Sequence, residues 1–215
     1  MPRVSDHDAR RRQVAAAVAD LVAADGLDGV TVARTAAAAG MSVGLVQHYF
    51  ATKDDMLLFA FTHVRSQIDT RVDAAVAAGV ETGARIEHVL REALGELLPL
   101  DGRRRRECRV TLAFAGRTVD NARLAEVLRA STDAVRARLA QAIHNGKECG
   151  EVPVGTDDRV EAVRLFALVD GLALHAYTAP DMADDARAAL AGHLQGLFPG
   201  RCLHRARGED VGGGQ

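Results

Sequence analysis

The stretch TVARTAAAAGMSVGLVQHYF, residues 31–50, predicts two short helices separated by a tight turn. Thr31 is a good N-cap for the first helix, which Gly40 ends, and Ser42 is a good N-cap for the second. Ala36 is small where the two helices approach most closely, and Gly40 suits the positive φ that the turn needs. This spacing is typical of a helix-turn-helix.

The second of these helices is expected to have two different faces. Its inner face is predicted to pack against the first helix and consists of Met41, Val46 and Tyr49. The residues between them must point outward, and they are Val43, Gly44, Leu45, Gln47 and His48. In a DNA-binding protein this outer face would enter the major groove or flank it.

Gln47 is the side chain expected to read a base, because glutamine can form two hydrogen bonds with adenine. The alternative for Gln47 is an exposed polar residue without a partner. Ser42 at a helix N-terminus and Lys53 are expected to bind phosphates. His48 and Tyr49 are also expected at phosphates, although Tyr49 fits the core equally well. The complete set of predicted DNA-binding residues is Thr31, Arg34, Ser42, Val43, Gly44, Leu45, Gln47, His48, Tyr49 and Lys53.

Helical patterns continue on both sides of this motif. The capping-box spacing of Ser5-His-Asp-Asp8 precedes a first helix that Asp25-Gly26 closes. Arg10-Arg-Arg12 in that helix could reach DNA or form a solvated basic helix end. A second capping box, Thr52-Lys-Asp-Asp55, opens a long amphipathic helix.

The rest of the chain also predicts helices and no sheet. Residues 160–178 are apolar on more than one side, so that helix is expected to be buried on two faces. Residues 103–106 are four arginines, and they are expected in a solvated turn. The tail from 200 to 215 lacks apolar periodicity and is expected to be disordered. The predicted fold is therefore all-α with about nine helices, the last five at 86–97, 108–119, 121–146, 160–178 and 180–199.

Composition and charge exclude several other classes of protein. No apolar run approaches the roughly 20 residues of a membrane span, and nothing resembles a signal peptide, so a soluble, cytoplasmic protein is expected. The formal net charge of −2 does not favour a general polyanion binder. Three cysteines without C-x-x-C spacing suggest neither a disulfide framework nor a zinc site. No metal and no cofactor is expected.

Known catalytic motifs are missing from the sequence. It contains no Walker loop, no His-Glu-x-x-His and no Glu-x-x-His pair, so an enzyme is not expected and no catalytic residue is assigned. A helical-bundle enzyme is the weaker alternative. A ligand-independent architectural DNA-binding protein is the other alternative, although such proteins have a broader basic surface.

A carboxylate in an apolar helix marks a possible ligand site. Asp170 lies within Leu165-Phe-Ala-Leu-Val-Asp-Gly-Leu, and if buried it must be paired or face a ligand, for which a cation is the specific hypothesis. An arginine partner is the ordinary alternative. The residues that could line a cavity with it are His88, Phe114, Phe166 and Tyr177, and the aromatic ones could equally be core.

The motif from Thr31 to Leu57 resembles the DNA-binding signature of TetR-type transcriptional regulators. The similarity covers about 45 N-terminal residues, from the first predicted helix to the start of the fourth. Within it, Gly44-Leu-Val-Gln-His-Tyr-Phe50 is similar to the same segment of the choline-responsive betaine regulators. Two residues depart from the family pattern. Thr35 replaces a branched aliphatic residue, which reduces core burial, and Val43 replaces a polar or basic one, which removes a charged contact.

The resemblance implies a repressor that binds a double-stranded DNA operator as a homodimer and leaves it when a small-molecule effector binds. It implies a DNA-binding domain over 1–52, a helical ligand-binding and dimerisation domain over 53–199, and the tail over 200–215. The helices at 157–178 and 181–197 are the expected dimer interface. The recognition helices of the two subunits would have to lie about 34–36 Å apart to reach successive major grooves.

Overall fold

The computed structural model describes the backbone of residues 3–202 and the side chains of residues 7–202. Over that backbone it contains nine α-helices, three short 3-10 turns and no strand, which confirms the predicted all-α class. No helix within this range is long and apolar enough to cross a membrane. The tail predicted to be disordered lies, from residue 203 on, outside the described residues.

The helices follow one another in the predicted order of long, short, short and long, and then five more. The 3-10 turns are Leu27–Gly29, Thr118–Asp120 and Pro180–Met182. The α-helices are α1 (Arg3–Asp25), α2 (Val32–Ala38), α3 (Val43–Tyr49), α4 (Lys53–Glu81), α5 (Ile86–Gly95), α6 (Gly102–Arg117), α7 (Ala122–Cys149), α8 (Asp158–Thr178) and α9 (Ala183–Leu197).

Two predicted helix starts differ from the structure, and a third is confirmed. Ser5 lies inside α1, so it is not the N-cap of that helix. The start expected at residue 157 is confirmed, since the Asp157 carboxylate caps α8 by accepting hydrogen bonds from the amides of Arg159 and Val160, each at 3.1 Å. Pro180 opens a 3-10 turn, and α9 begins only at Ala183.

The arginines at 103–106 are helical, so the predicted solvated turn is wrong. Asp101 caps α6 by accepting a hydrogen bond from the amide of Arg104 at 2.8 Å, and it also pairs with the Arg104 side chain. Arg103 approaches Glu107 one helical turn later. Arginine is a good helix former, and these local carboxylates offset the charge repulsion in the first turn.

The described residues form two compact units. One comprises residues 3–70 with 99–128, and the other comprises 71–98 with 129–202. The helix-turn-helix lies in the first unit together with α1 and α6. The boundary expected between residues 52 and 53 concerns the DNA-binding function and stays a prediction.

The core of the first unit joins the helix-turn-helix to the helices around it. Val18 of α1 and Val46 of α3 are fully buried, and α1 packs against both α2 and α6. Phe61 of α4 and Phe114 of α6 stack with ring centroids 3.9 Å apart and planes 6° from parallel. Apolar burial therefore fixes α3 against its neighbours, while its other side stays exposed.

The core of the second unit lies between α5, α8 and α9. Leu165 of α8 and Leu194 of α9 have no exposed surface. A Cβ atom on Gly79 of α4 would lie 2.4 Å from a methyl group of Val89, so α5 approaches α4 closely at this position. Close packing of this kind requires glycine, because any larger side chain would force the two helices apart.

Within one chain α8 is buried on one face only, which differs from the two buried faces predicted. The buried face consists of Ala162, Leu165, Phe166, Val169 and Ala176. Val160, Val163 and Leu174 are 43%, 50% and 44% exposed. These three residues repeat at near-helical spacing, so the second apolar face is real but has no cover within the described chain.

Candidate nucleic-acid interface

The turn between α2 and α3 is built by the interactions that the sequence predicts. The Thr31 hydroxyl accepts a hydrogen bond from the Arg34 amide, and the Ser42 hydroxyl accepts one from the Leu45 amide, both at 3.2 Å. Gly40 has a φ of 62°, and the Met41 amide donates to the Ala36 carbonyl at 2.9 Å. Both short helices are therefore capped, and the turn between them is closed by a backbone hydrogen bond.

The outer side of α3 forms what we call the reading face, defined by Val43, Gly44, Gln47 and His48. All four are exposed, whereas Val46 on the inner side has no exposed surface. A Cβ atom on Gly44 would meet no other atom within 4 Å, so the surface there is open. Four adjacent exposed residues on a rigid helix are what insertion into a major groove requires.

Two predicted contact residues of α3 are only partly available to DNA. Leu45 is half-buried, and so is Tyr49, whose ring meets His7 of α1 edge-on at 4.7 Å and His48 at 5.4 Å. Tyr49 therefore supports α3 against α1 with one part of its ring. Both readings of Tyr49, as a phosphate contact and as a core residue, remain compatible with its position.

Arg34 is engaged within the protein. Its guanidinium pairs with the carboxylate of Asp25 at the end of α1, and both side chains are about half exposed. A phosphate would have to compete with this carboxylate for the same cation. Thr31 is exposed, but its hydroxyl is used as the cap of α2.

The first turn of α4 is held by a network of charged and polar groups. Thr52 and Asp55 form the predicted capping box, with the Asp55 amide donating to the Thr52 hydroxyl at 3.0 Å and the Thr52 amide donating to Asp55 at 3.1 Å. Arg117 donates to Asp54 at 2.9 Å, and the Asn121 amide donates to the same carboxylate at 2.8 Å. Lys53 is half-buried in this turn.

The same network lowers the pKa of both carboxyl groups. Hydrogen bonding from Arg117, aided by Asn121, lowers the pKa of Asp54. The Thr52 hydroxyl and then Arg123 lower the pKa of Asp55. The negative charges lie at a helix N-terminus, where the macrodipole also favours them. Sequence reasoning missed Arg117 and Asn121, because they lie more than 60 residues away from Asp54 and only folding brings them there.

Of the three arginines at 10–12, Arg11 faces aromatic rings. Its guanidinium carbon lies 4.6 Å from the centroid of the Phe59 ring and 5.7 Å from that of Phe50. This contact joins α1 to the start of α4 through a cation–π interaction. Arg109 of α6 makes a second unpredicted contact, donating to the carbonyl of Ala23 at 2.5 Å near the C-terminus of α1.

The residues predicted to bind a ligand do not all lie in one compact unit. Phe114 is in the first unit, fully buried against Phe61. The other four are in the second unit: Phe166 is buried, Tyr177 is half-buried, and Asp170 and His88 are exposed. His88 lies 3.2 Å from Glu87, a carboxylate with only 2% exposure that the sequence did not single out.

An N-terminal helix-turn-helix with an exposed reading face, on an otherwise helical chain, defines a class of DNA-binding regulators. Residues 14–59 match the family described as bacterial regulatory proteins, tetR family, and residues 84–199 match the BetI-type transcriptional repressor C-terminal family. The chain belongs to the TetR family of transcriptional regulators.

Individual relatives agree with this assignment. The chain is 34% identical to the HTH-type transcriptional regulator PksA of Bacillus subtilis over 84% of each chain. It is 29% identical to the regulator BetI 1 of Chromohalobacter salexigens, over 87% of this chain and 89% of that one.

Solved structures show the same fold. A transcriptional regulator from Rhodococcus sp. Rha1 superposes with a TM-score of 0.76 at 33% identity, over 88% of this chain and 96% of that one. A regulator from Saccharomonospora viridis, solved in complex with choline, gives a TM-score of 0.74 at 25% identity, over 86% and 95% of the two chains.

Proposed function

We propose that this TetR-type regulator represses transcription by occupying a pseudo-palindromic operator as a homodimer and that a small-molecule effector releases it. The observation that carries the proposal is the reading face, which is exposed on a helix fixed by buried residues on its other side. Operator DNA is its partner, so the protein acts in the cytoplasm.

Base recognition is assigned to Gln47, and phosphate binding to the residues around it. Gln47 is exposed on the reading face, and a glutamine side chain can form a bidentate contact with adenine. Val43 supplies an apolar surface that suits a thymine methyl group. Ser42 and Lys53, at the N-termini of α3 and α4, are the expected phosphate contacts.

Dimerisation is assigned to α8 and α9. Val160, Val163 and Leu174 form an uncovered apolar face on α8. Gly192 and Gly196 lie on the exposed side of α9, where an added Cβ would meet nothing within 4 Å. An apolar helix face beside a smooth glycine surface suits close packing against the same helices of a second chain.

The effector is proposed to be a small organic cation. Two observations support this: the C-terminal match to BetI-type repressors and the choline bound to the regulator from Saccharomonospora viridis. Asp170 would supply the negative charge, and His88, Phe166 and Tyr177, which lie in the same compact unit, are the candidate lining residues. Effector binding would favour a second conformation with lower DNA affinity, and α4, which begins at Lys53, is the element proposed to carry the change.

The test is footprinting of the purified protein on the DNA upstream of its own gene, with and without choline. We expect a protected region made of two inverted half-sites, and loss of protection when the effector is added. Choline titration of the Asp170→Asn variant then tests the charge, with an expected loss of the thermal shift seen in the wild type. Protection without symmetry that no small cation relieves would instead support a ligand-independent architectural protein.

A further inference from the structure

Two cysteines and a buried glutamate come together in the second unit, although they are far apart in the sequence. The Sγ atoms of Cys149 and Cys202 and a carboxylate oxygen of Glu151 all lie within 4.8 Å of one another. Cys149 and Glu151 are buried, and Cys202 is half-buried. We propose that this Cys149–Glu151–Cys202 cluster binds a thiophilic divalent cation of the Zn²⁺ type.

The spacing of the three groups suits such an ion. Tetrahedral Zn²⁺ with two thiolate ligands holds their sulfurs about 3.8 Å apart, which requires little movement from the observed positions. The Cys149 thiol now donates to the Gly146 carbonyl at 3.5 Å, a hydrogen bond that the thiolate would give up on binding the ion. Because Cys202 is half-buried, one side of the cluster is open for entry of the ion and for water as a fourth ligand.

The carboxylate of Glu151 is already oriented. It accepts a hydrogen bond from the Ile86 amide at 3.2 Å at the start of α5, and the Nε atom of Arg85 lies 3.6 Å away. Each carboxylate oxygen has two lone pairs, so these contacts leave capacity for a metal. Carboxylate ligands of metals are commonly held by such outer hydrogen bonds.

The segment that carries Cys202 is held close to Glu151 by the backbone. The Gly200 amide donates to the Glu151 carbonyl at 3.0 Å, and Arg85 donates to the carbonyls of Phe198 and Gly200, each at 2.8 Å. A Cβ on Gly200 would lie 2.0 Å from the Gly150 carbonyl oxygen, so only glycine allows this approach. These hydrogen bonds hold the segment beside Glu151, so the two sulfurs lie close together without an ion.

Charge and softness favour a divalent thiophilic ion over other cations. Two thiolates with one carboxylate carry three negative charges, which a divalent ion and the adjacent Arg85 together neutralise. Thiolate ligands select zinc over magnesium or calcium. An ordinary cysteine thiol has a pKa of about 8.5 and is mostly protonated at neutral pH. Metal binding must therefore displace protons, and affinity should increase with pH.

The test is metal titration of the full-length chain, reduced with a thiol-free reductant and stripped with a chelator. Zn²⁺ is titrated against a chromophoric chelator, and Co²⁺ is used to detect thiolate-to-metal charge-transfer absorption. We expect one ion per chain, a charge-transfer band, and release of protons on binding. We also expect Zn²⁺ to raise the melting temperature by mass action.

Cysteine variants provide the matched comparison. Cys149→Ala and Cys202→Ala should each lower the affinity for Zn²⁺ at least about tenfold and weaken the charge-transfer band, which the double variant should lose. Cys108→Ala, which removes a buried cysteine of the first unit, should leave both unchanged. Glu151→Gln should weaken binding but keep the charge-transfer band, because both thiolates remain.

Two results would overturn the proposal. Unchanged Zn²⁺ affinity in the Cys149→Ala, Cys202→Ala double variant would place the ion on other surface groups. Absence of stoichiometric binding to the fully reduced wild type would leave Glu151 as a structural partner of α5 and Arg85 only. Neither result depends on DNA binding, so the proposed regulatory function is tested separately.

Discussion

Thr35 of α2 is a polar residue that the structure buries completely. Its hydroxyl has no hydrogen-bond partner among the described residues. A buried hydroxyl without a partner costs about 1–3 kcal/mol, so Thr35→Val should raise the free energy of unfolding by about 1 kcal/mol. Urea unfolding measures the change.

A second threonine provides the control for that measurement. Thr31 uses its hydroxyl to cap α2, so Thr31→Ala should lower the free energy of unfolding by about 1 kcal/mol. The free energy of unfolding is therefore expected to rise in Thr35→Val and to fall in Thr31→Ala, because only the Thr31 hydroxyl has a hydrogen-bond partner. A loss of stability in Thr35→Val would show that the buried hydroxyl finds a partner in solution.

The proposed DNA interface predicts different effects on binding for Gln47 and Lys53. Gln47→Ala should remove about 1–3 kcal/mol of discrimination at the base pair it contacts. Lys53→Ala should instead weaken binding to all sequences and reduce the slope of log K against log salt by about one. Fluorescence anisotropy with operator and scrambled DNA separates the two effects, and wild-type behaviour of both variants would contradict the proposed interface.

The N-terminus of α4 is the element whose stability should depend most directly on pH. Folding lowers the pKa of Asp54 through Arg117 and that of Asp55 through Thr52. The stabilisation from each carboxylate is therefore complete above its unfolded pKa, near 3.9, and is lost as the pH falls through the lower folded value.

Asp54→Asn tests this pH dependence. The variant should be less stable than the wild type at neutral pH, and the difference should shrink as the pH falls below about 4. Urea unfolding at a series of pH values measures it. Asp73→Asn, which breaks an exposed pair with Arg138, is the control and should change stability little at any pH. If the free energies of unfolding of wild type and Asp54→Asn differed by the same amount at all pH values, the lowered pKa of Asp54 would be contradicted.

The uncovered face of α8 makes a prediction about assembly. Val163→Glu should place a charge in the proposed apolar interface and convert the dimer to a monomer, as measured by analytical ultracentrifugation. Operator affinity should fall by about 100-fold or more, because a monomer binds only one half-site. Val119→Glu, at a residue of the first unit that is 83% exposed, should alter neither property.

The proposed dimer requires two operator half-sites at a defined spacing. Successive major grooves on one side of DNA lie about 34–36 Å apart. Inserting about 5 bp between the half-sites rotates one of them to the opposite side, so wild-type affinity should fall by about 100-fold. The Val163→Glu variant should show no further loss on the same DNA. Equal wild-type binding to both operators would contradict a rigid dimer.

The predictions from sequence succeeded where structure is decided locally. The helix-turn-helix, its two caps and the capping box at Thr52 each depend on residues at most a few positions apart. The prediction failed at the arginines of residues 103–106. Their charge suggested a turn in solvent, but they form a helix because Asp101 caps its N-terminus. The two buried faces expected for α8 also differ from the structure, where one apolar face has no cover within the described residues.

What the sequence determined by itself is the all-α class and the reading face, because helix propensity, capping and apolar spacing act over a few residues. Only the tertiary structure decided which distant groups meet. Arg117 reaches Asp54, and Cys202 reaches Cys149, across more than 50 residues of chain. Such contacts leave no periodic pattern, since they depend on how whole helices pack, and they carry the pH dependence and the proposed metal site.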